Sequence, residues 1–387
     1  MKMHGRVQDM PKLTLCMIVK NEEDVLARCL GSVTGKNPQP DHAGDAPKTR
    51  TERSACPIDE IVVADTGSTD DTKKIAASFG AKIYDFAWND DFSAARNFSF
   101  SKATGDYILW LDADDYIDET DRLRLHELKN TLQKNDAAGA FCRYEIGSAE
   151  KADISFYRMR VVKNDGNAVW SGRVHECLPH FSSAITHEFT VRHLGSKKAR
   201  GTRNLDIYRK QILAGEAMSP RDLFYYGREL FYHGFFTESV AVEERFLREK
   251  DGWYVNKIEA CKIIAQCRLR TGDAEGAKNA LFSSFLYGAP RAGCLCLLGQ
   301  IYKDEKDFSS AYFWYTSAKN AVDHTREGDF ENPADRTSTP SIEAVYCAYA
   351  MGNHALAYEL QKECERLFLS HPSVIHNRTF FQTHPVS

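Results

Sequence analysis

No apolar run in this 387-residue chain approaches the ~20 residues that cross a bilayer. Its start, Met-Lys-Met-His-Gly-Arg, has no apolar segment resembling a secretory signal, so a cytoplasmic location without a membrane span is expected. A net charge of -4 is close to neutral for this length and calls for neither nucleic acid nor a membrane surface as partner. The 11 cysteines are scattered, with no Cys-x-x-Cys pair; the nearest two are Cys294 and Cys296. Reduced, mostly buried thiols fit that spacing better than a disulfide framework or a zinc site. Also missing is any Gly-x-Gly-x-x-Gly or Walker lysine loop, so a bound phosphate has to be held by metal and side chains instead of a glycine cradle. What the chain does have is 43% hydrophobic residues, ample for the two or three domains its length suggests.

The organising stretch is residues 107–118, an apolar and aromatic run, Tyr-Ile-Leu-Trp-Leu, that leads directly into Asp112, Asp114 and Asp115. A short continuous apolar run before a turn reads as a strand buried on both faces of a parallel sheet, and ligands of such sheets bind past the carboxyl ends of the strands. Carboxylates this close cannot all stay ionised cheaply without a cation among them. A divalent metal is the simplest such cation, and a few oxygen ligands suit Mg²⁺ or Mn²⁺. An acidic turn capping the next helix is the plain alternative.

Three strand-helix units precede that strand. Residues 13–19 form the first strand; Asn21 is expected to cap the helix that follows, with acids in its first turn. Residues 35–57 shift to polar, Pro- and Gly-containing sequence and read as a mobile inserted loop. Residues 59–64 form the second strand, with Ser68 or Thr69 capping the next helix and Asp65 left at the strand's end. Residues 81–85 form the third, and a helix then runs from about Trp88 toward Ala103. Such units give a doubly wound α/β sheet with crossovers of the usual hand. Further on, 120–134 reads as helix, 140–146 and 154–162 as antiparallel strands, 170–176 as a loop carrying Arg173, His175 and Glu176, and 189–193 as a short strand ending in His193. Lys197, Lys198, Arg200 and Arg203 make a basic connector, either solvated or turned toward a diphosphate.

From about Leu205 the pattern is helical throughout. Turn positions at Gly234, Gly272, Lys306 and Gly352 recur at intervals of 38, 34 and 46 residues, the last widened by a polar loop over 327–340. That periodicity predicts a short solenoid of helix pairs similar to tetratricopeptide repeats, with domains at 1–203 and 204–387.

Residues 14–118 resemble the family 2 glycosyltransferases of the GT-A fold. They share Asn-Glu after the first strand, Asp-x-Gly-Ser-x-Asp-x-Thr after the second, Ala-Arg-Asn in the helix before the fourth, and Leu-Asp-Ala-Asp-Asp at its end. The Gly-Arg-Val-His-Glu segment and the helical tail resemble a narrower group, the glycosyltransferases that put a hexose on cysteine or serine of glycocin bacteriocin peptides. The resemblance implies an inverting transfer from a UDP-sugar, with Mg²⁺ or Mn²⁺, to a peptide acceptor. It implies a nucleotide-sugar site of Val19, Lys20, Glu22, Asp65, Ser68, Arg96, Asp112 and Ala113, and metal ligands Asp114 and His193. Where the family commonly has a Glu-Asp pair this chain has His175-Glu176; Glu176 is the favoured base and His175 its rival. The repeats are expected to dock the acceptor, form a homodimer, or both. A family 2 enzyme acting on a cell-surface glycan and a non-catalytic peptide-binding scaffold stay open as alternatives.

Overall fold

In the computed structural model the described residues are 10–36, 56–147, 152–195, 201–324 and 332–384. The chain start, most of the insertion expected at 35–57, the basic residues Lys197, Lys198 and Arg200, and the first part of the 327–340 loop lie outside them. The chain divides into two units, Met1–Gly201 and Thr202–Ser387.

In the first unit the alternation of a strand decides which helices go where. Along β1 (Leu13–Val19), Leu13, Leu15, Met17 and Val19 join one cluster and Cys16 the other, so both faces are apolar and both need a cover. Helices α1 (Leu26–Thr34), α2 (Thr72–Ser78) and α4 (Glu119–Asn135) supply the first, through residues such as Leu30, Ala76 and Leu128. Helix α3 (Phe92–Phe100) contributes Phe100 to the second, beside Ile108, Trp110 and Trp170. Strands β2 (Glu60–Asp65), β3 (Lys82–Asp85) and β4 (Tyr107–Trp110) pair in parallel with β1 between β2 and β4. The sheet continues through β7 (Ala152–Lys163), antiparallel to β4, and β6 (Gly139–Gly147), antiparallel to β7, then β8 (Ile185–His193), parallel to β6, and the two-residue β5 (Asp115–Tyr116), antiparallel to β8. The strand order is β3-β2-β1-β4-β7-β6-β8-β5. The doubly wound α/β reading therefore holds, with the carboxylate cluster just past β4.

Helix starts differ from the sequence reading. Asn21 does not cap α1; it has φ 54, its side-chain oxygen accepts from the Thr69 amide, and its own amide donates to Ser68 Oγ. The first turn slips to Leu26, because residues 21–24 are spent fastening the loop after β1 to the loop after β2, where Thr72 Oγ1 also accepts from the Glu22 amide. Ser68 and Thr69 likewise do not cap α2, whose N-cap is Asp71. Helix α3 begins at Phe92, capped by the Asp91 carboxylate accepting from the Ala94 amide. Strand β8 starts at Ile185, ahead of the expected Phe189.

The second unit opens with α5 (Arg203–Leu213). Four helix hairpins follow: α6 (Pro220–Tyr232) with α7 (Phe236–Arg248), α8 (Tyr254–Arg270) with α9 (Ala274–Ser284), α10 (Ala292–Asp304) with α11 (Phe308–Lys319), and α12 (Ser338–Ala350) with α13 (His354–Leu367). Helix α14 (Pro372–Thr383) closes the series. Each expected turn residue has left-handed backbone, with φ 79 at Gly234, 83 at Gly272, 79 at Gly352 and 64 at Lys306, the last a conformation that costs an L side chain about 1–2 kcal/mol. Inside the hairpin of α10 and α11, a Cβ on Gly299 would lie 2.9 Å from the Tyr315 ring, so the close approach of the two helices depends on glycine there.

Glu60, at the start of β2, links the lower edge of the sheet by accepting from Thr14 Oγ1, Lys82 Nζ and the Thr104 amide. Burial opposes its charge, but these bonds outweigh burial and lower its pKa from 4.5 to about 2. A carboxylate depressed in the folded state stabilises above its unfolded pKa and loses that contribution as pH falls through the folded value. The urea midpoint of the wild type should therefore fall as pH drops from about 4.5 to about 2, and fall less in Glu60→Gln. Parallel curves for the two proteins would remove Glu60 from the acid response.

Candidate active site

The site is assembled by strand pairing and by one helix. Antiparallel pairing of β5 with β8 sets Asp115 opposite His193, and Asp114 follows, its carbonyl accepting from the Leu194 amide at 3.4 Å. From the other side, Asn97 on α3 grips the backbone of Trp170 with two bonds, donating to its carbonyl at 2.9 Å and accepting from its amide at 2.8 Å. The loop that follows is closed at its base by reciprocal amide-carbonyl bonds between Ser171 and Cys177, 3.0 Å each, and is fastened to α3 where the Phe92 amide donates to the Arg173 carbonyl. Gly172 and His175 take left-handed backbone, φ 98 and 52, to turn it. Glu176 thereby arrives next to Arg96, one residue before Asn97.

Arg96 is the junction. Its Nε donates to Glu176 and its Nη2 to Asp112 at 2.8 Å, while its guanidinium lies over the rings of Trp110 and Trp170. Burial opposes the charge on both carboxylates, yet Arg96 outweighs it, holding Asp112 and Glu176 below the usual carboxylate range. Arg160 on β7, fully buried, lies one step deeper, with Nη1 3.1 Å from Asp115 and 4.0 Å from Asp112. Much of the cation that the acidic cluster requires is thus arginine.

Asp114 is the exception. No arginine pairs with its carboxylate among the described residues; burial and the charges of Asp112 and Asp115 raise its pKa, offset in part by His193. His193 Nδ1 lies 3.4 Å from Asp114 Oδ1 and 3.3 Å from Asp115 Oδ1. Burial opposes the imidazolium, but the two aspartates prevail and raise its pKa. Asp114, Asp115 and His193 form a group able to hold a metal ion. Asp115 is already committed, accepting from Tyr144 Oη at 3.1 Å and from the Asp112 amide at 2.9 Å and pairing with Arg160, and it is fully buried. Asp114 and His193 keep partial exposure, so this pair offers the reachable ligand atoms and Asp115 orients it. A carboxylate and an imidazole beside further acids suit Mn²⁺ or Mg²⁺ as hard to borderline cations.

The remaining expected residues gather on the fastened loops of β1 and β2. Val19 is buried, Glu22 and Ser68 are half-buried and Lys20 is exposed. Asp65, 1% exposed, accepts through Oδ2 from the amides of Gly67 and Ser68, while its Oδ1 has no hydrogen-bond partner. Val19 and Asp65 are register partners across the parallel pair, and Ala113 is buried between Asp112 and Asp114. Sequence reasoning missed Arg158, Arg160 and Tyr144. Its one available signal was Arg-Met-Arg within an otherwise buried strand, where a charge needs a partner.

A doubly wound sheet with paired acids at the end of its fourth strand, followed by helix hairpins, defines an α/β domain followed in the chain by a tetratricopeptide-like array. Residues 14–185, nearly all of the first unit's described part, match Glycosyl transferase family 2. The SPbeta prophage-derived glycosyltransferase SunS of Bacillus subtilis is 26% identical over 236 residues, 57% of this chain and 50% of that one. A TPR repeat-containing protein of Synechococcus elongatus is 43% identical over 106 residues, 27% of this chain and 21% of that one. The chain spans half or less of the length of these curated relatives. Among solved structures, S. aureus TarS 1-349 in complex with UDP is 14% identical over 72% of this chain and 93% of that one, with a TM-score of 0.36, too low to bear on fold or ligand. No helix among the described residues is long and apolar enough to cross a membrane.

Removing Arg160 leaves Asp115 buried without its cation, a change that typically costs about 3–5 kcal/mol. Arg160→Met should lower unfolding stability by that order in urea titration of the metal-free protein, whereas a loss under ~1 kcal/mol would mean that Asp115 does not depend on Arg160.

Proposed function

We propose that the protein is a metal-dependent, inverting hexosyltransferase that moves a sugar from a UDP-sugar to a peptide side chain, cysteine before serine. The observation that carries this reading is the line of groups joined through Arg96: a donor-side carboxylate, Asp112, with Asp114 and His193 beside it, and an acceptor-side carboxylate, Glu176, all beyond the ends of the parallel strands. Asp65, with one buried oxygen lacking a partner, supports a nucleobase contact on the far side. Lys20, Glu22 and Ser68 flank that position on the fastened loops.

Transfer with inversion is one in-line displacement at the anomeric carbon, and its difficulty is charge growing on the departing diphosphate. A cation bound by Asp114 and His193 supplies charge there; one unit charge against another at ~4 Å is worth about 4 kcal/mol at an effective dielectric near 20. On the opposite face Glu176 accepts the acceptor's proton, and Arg96 keeps it ionised and aimed. A carboxylate held below its usual range is a weak base. That is a handicap for a hydroxyl and a small one for a thiol, whose ordinary pKa of about 8.5 makes thiolate accessible near neutral pH. This match, together with the Gly-Arg-Val-His-Glu segment and the helical tail, favours a cysteine-bearing peptide over a surface glycan. His175, in left-handed backbone at the tip of the same loop, shapes the acceptor's approach. The helix hairpins dock the peptide or pair two copies of the chain, with cytoplasm as the setting.

Release of nucleoside diphosphate from a panel of sugar nucleotides, with Mn²⁺, Mg²⁺ or chelator, tests the reading. One UDP-sugar should be hydrolysed slowly and only with metal, and Asp114→Asn should lose ~10²- to 10³-fold of that rate with an unchanged thermal transition. Absence of both turnover and metal-dependent UDP binding would leave a non-catalytic scaffold. Separately, His193→Ala should weaken Mn²⁺ binding by ~10-fold or more in calorimetric titration. Unchanged affinity would remove His193 from the ligand set.

A further inference from the structure

Strand β7 brings two arginines to the acidic cluster, and they are used differently. Arg160 is sealed: its guanidinium sits 4.1 Å from the Trp110 ring centre and 4.2 Å from that of Tyr144, its Nη1 serves Asp115 and the Trp110 carbonyl, and its other nitrogens are buried. Arg158, two residues earlier, leans on the same two rings, 4.5 Å from Trp110 and 5.5 Å from Tyr144. It has no hydrogen bond or ion pair among the described residues, and none of its nitrogens is among the buried unpartnered atoms. It is half-buried, with its guanidinium set against the two rings. Arginine presents a planar fork that matches phosphate oxygens bidentately. A cation in this position, near Asp112 but with no carboxylate in direct contact, is costly to keep, and a ligand anion offsets that cost.

We propose that Arg158 is a further catalytic residue, one that contacts the diphosphate of the donor and takes up the charge that grows on it as the sugar leaves. This rests on the reading of the domain as a nucleotide-sugar transferase. The carboxylate whose charge Arg158 feels most is Asp112, on the donor side; Glu176 feels Arg158 only weakly by comparison with Arg96. Arg158 therefore completes a division of labour: Arg96 joins donor side to acceptor side, Arg160 neutralises the framework aspartate, and Arg158 faces the ligand. In the displacement, the bond from the anomeric carbon to the diphosphate oxygen breaks with its electron pair remaining on the diphosphate, the acceptor sulfur or oxygen forms the new bond, and the acceptor's proton passes to Glu176. Arg158 neither gains nor loses a proton in this step.

The test is calorimetric binding, with saturating Mn²⁺, of UDP, UMP and uridine to the full chain and to Arg158→Met and Arg158→Lys. The methionine keeps an unbranched apolar stem and removes the charged fork; the lysine keeps charge without the fork. UDP affinity is expected to fall ~10- to 100-fold in Arg158→Met and by an intermediate factor in Arg158→Lys, with uridine affinity unchanged in both. Equal losses for UDP and uridine would mean a structural role and overturn the proposal. Unchanged UDP affinity with a raised KM for acceptor would assign Arg158 to an acceptor carboxylate, and overturn it too. If the wild type binds none of UDP, GDP, CDP and dTDP, the transferase reading itself falls and takes this proposal with it. Should Arg158→Met fail to fold, judged by its thermal transition, Arg158→Lys alone decides: UDP binding equal to wild type overturns the assignment.

Discussion

One guanidinium connects what would otherwise be three separate structures. Arg96 reaches from α3 to Asp112 at the end of β4 and to Glu176 on the 171–177 loop, with two tryptophan rings against it. Buried ion pairs seldom add net stability compared with apolar packing of the same volume. What this one supplies is position: sheet, helix and loop share a single rigid point. The residues around it follow from that constraint. Asn97 holds the loop's entry, Trp170 fills the face opposite α1, and Arg160 carries the charge that Arg96 cannot reach.

Chemistry in the first unit and architecture in the second obey different rules. The hairpins repeat one solution: a left-handed residue ends the first helix, and in three of them an aspartate or asparagine caps the second, Asp273, Asp307 and Asn353. Small residues admit close contact, as Gly227 does against Glu243 and Gly299 against Tyr315. Glu243 is fully buried with both carboxylate oxygens unpartnered, and burial drives its pKa well above the ordinary value, which favours the protonated form.

Legibility from sequence followed the range of the interactions. The turns at Gly234, Gly272, Lys306 and Gly352 were readable because a helix hairpin is local, and even lysine was recognised by its place in the period. The buried strands and the Asp112–Asp115 cluster were readable because period and motif are local too. Helix starts were misplaced because Asn21 and Ser68 bond to each other's loops across 47 residues, and no local signal distinguishes that from a cap. The arginines of β7 were missed for a related reason. Their partners come from β4 and β5, and register irregularity between Ala140 and Phe141 disturbs the alternation that would tell which side a β7 residue faces.

The 171–177 loop is closed by a pair of backbone bonds across its base and is held by a bond from α3, by the Arg96 contact and by the burial of Val174. Nothing in the register of any strand depends on the residues between its ends. The loop and the acidic cluster are therefore set by different parts of the chain, the one by its hairpin base and α3, the other by the pairing that puts Asp115 opposite His193.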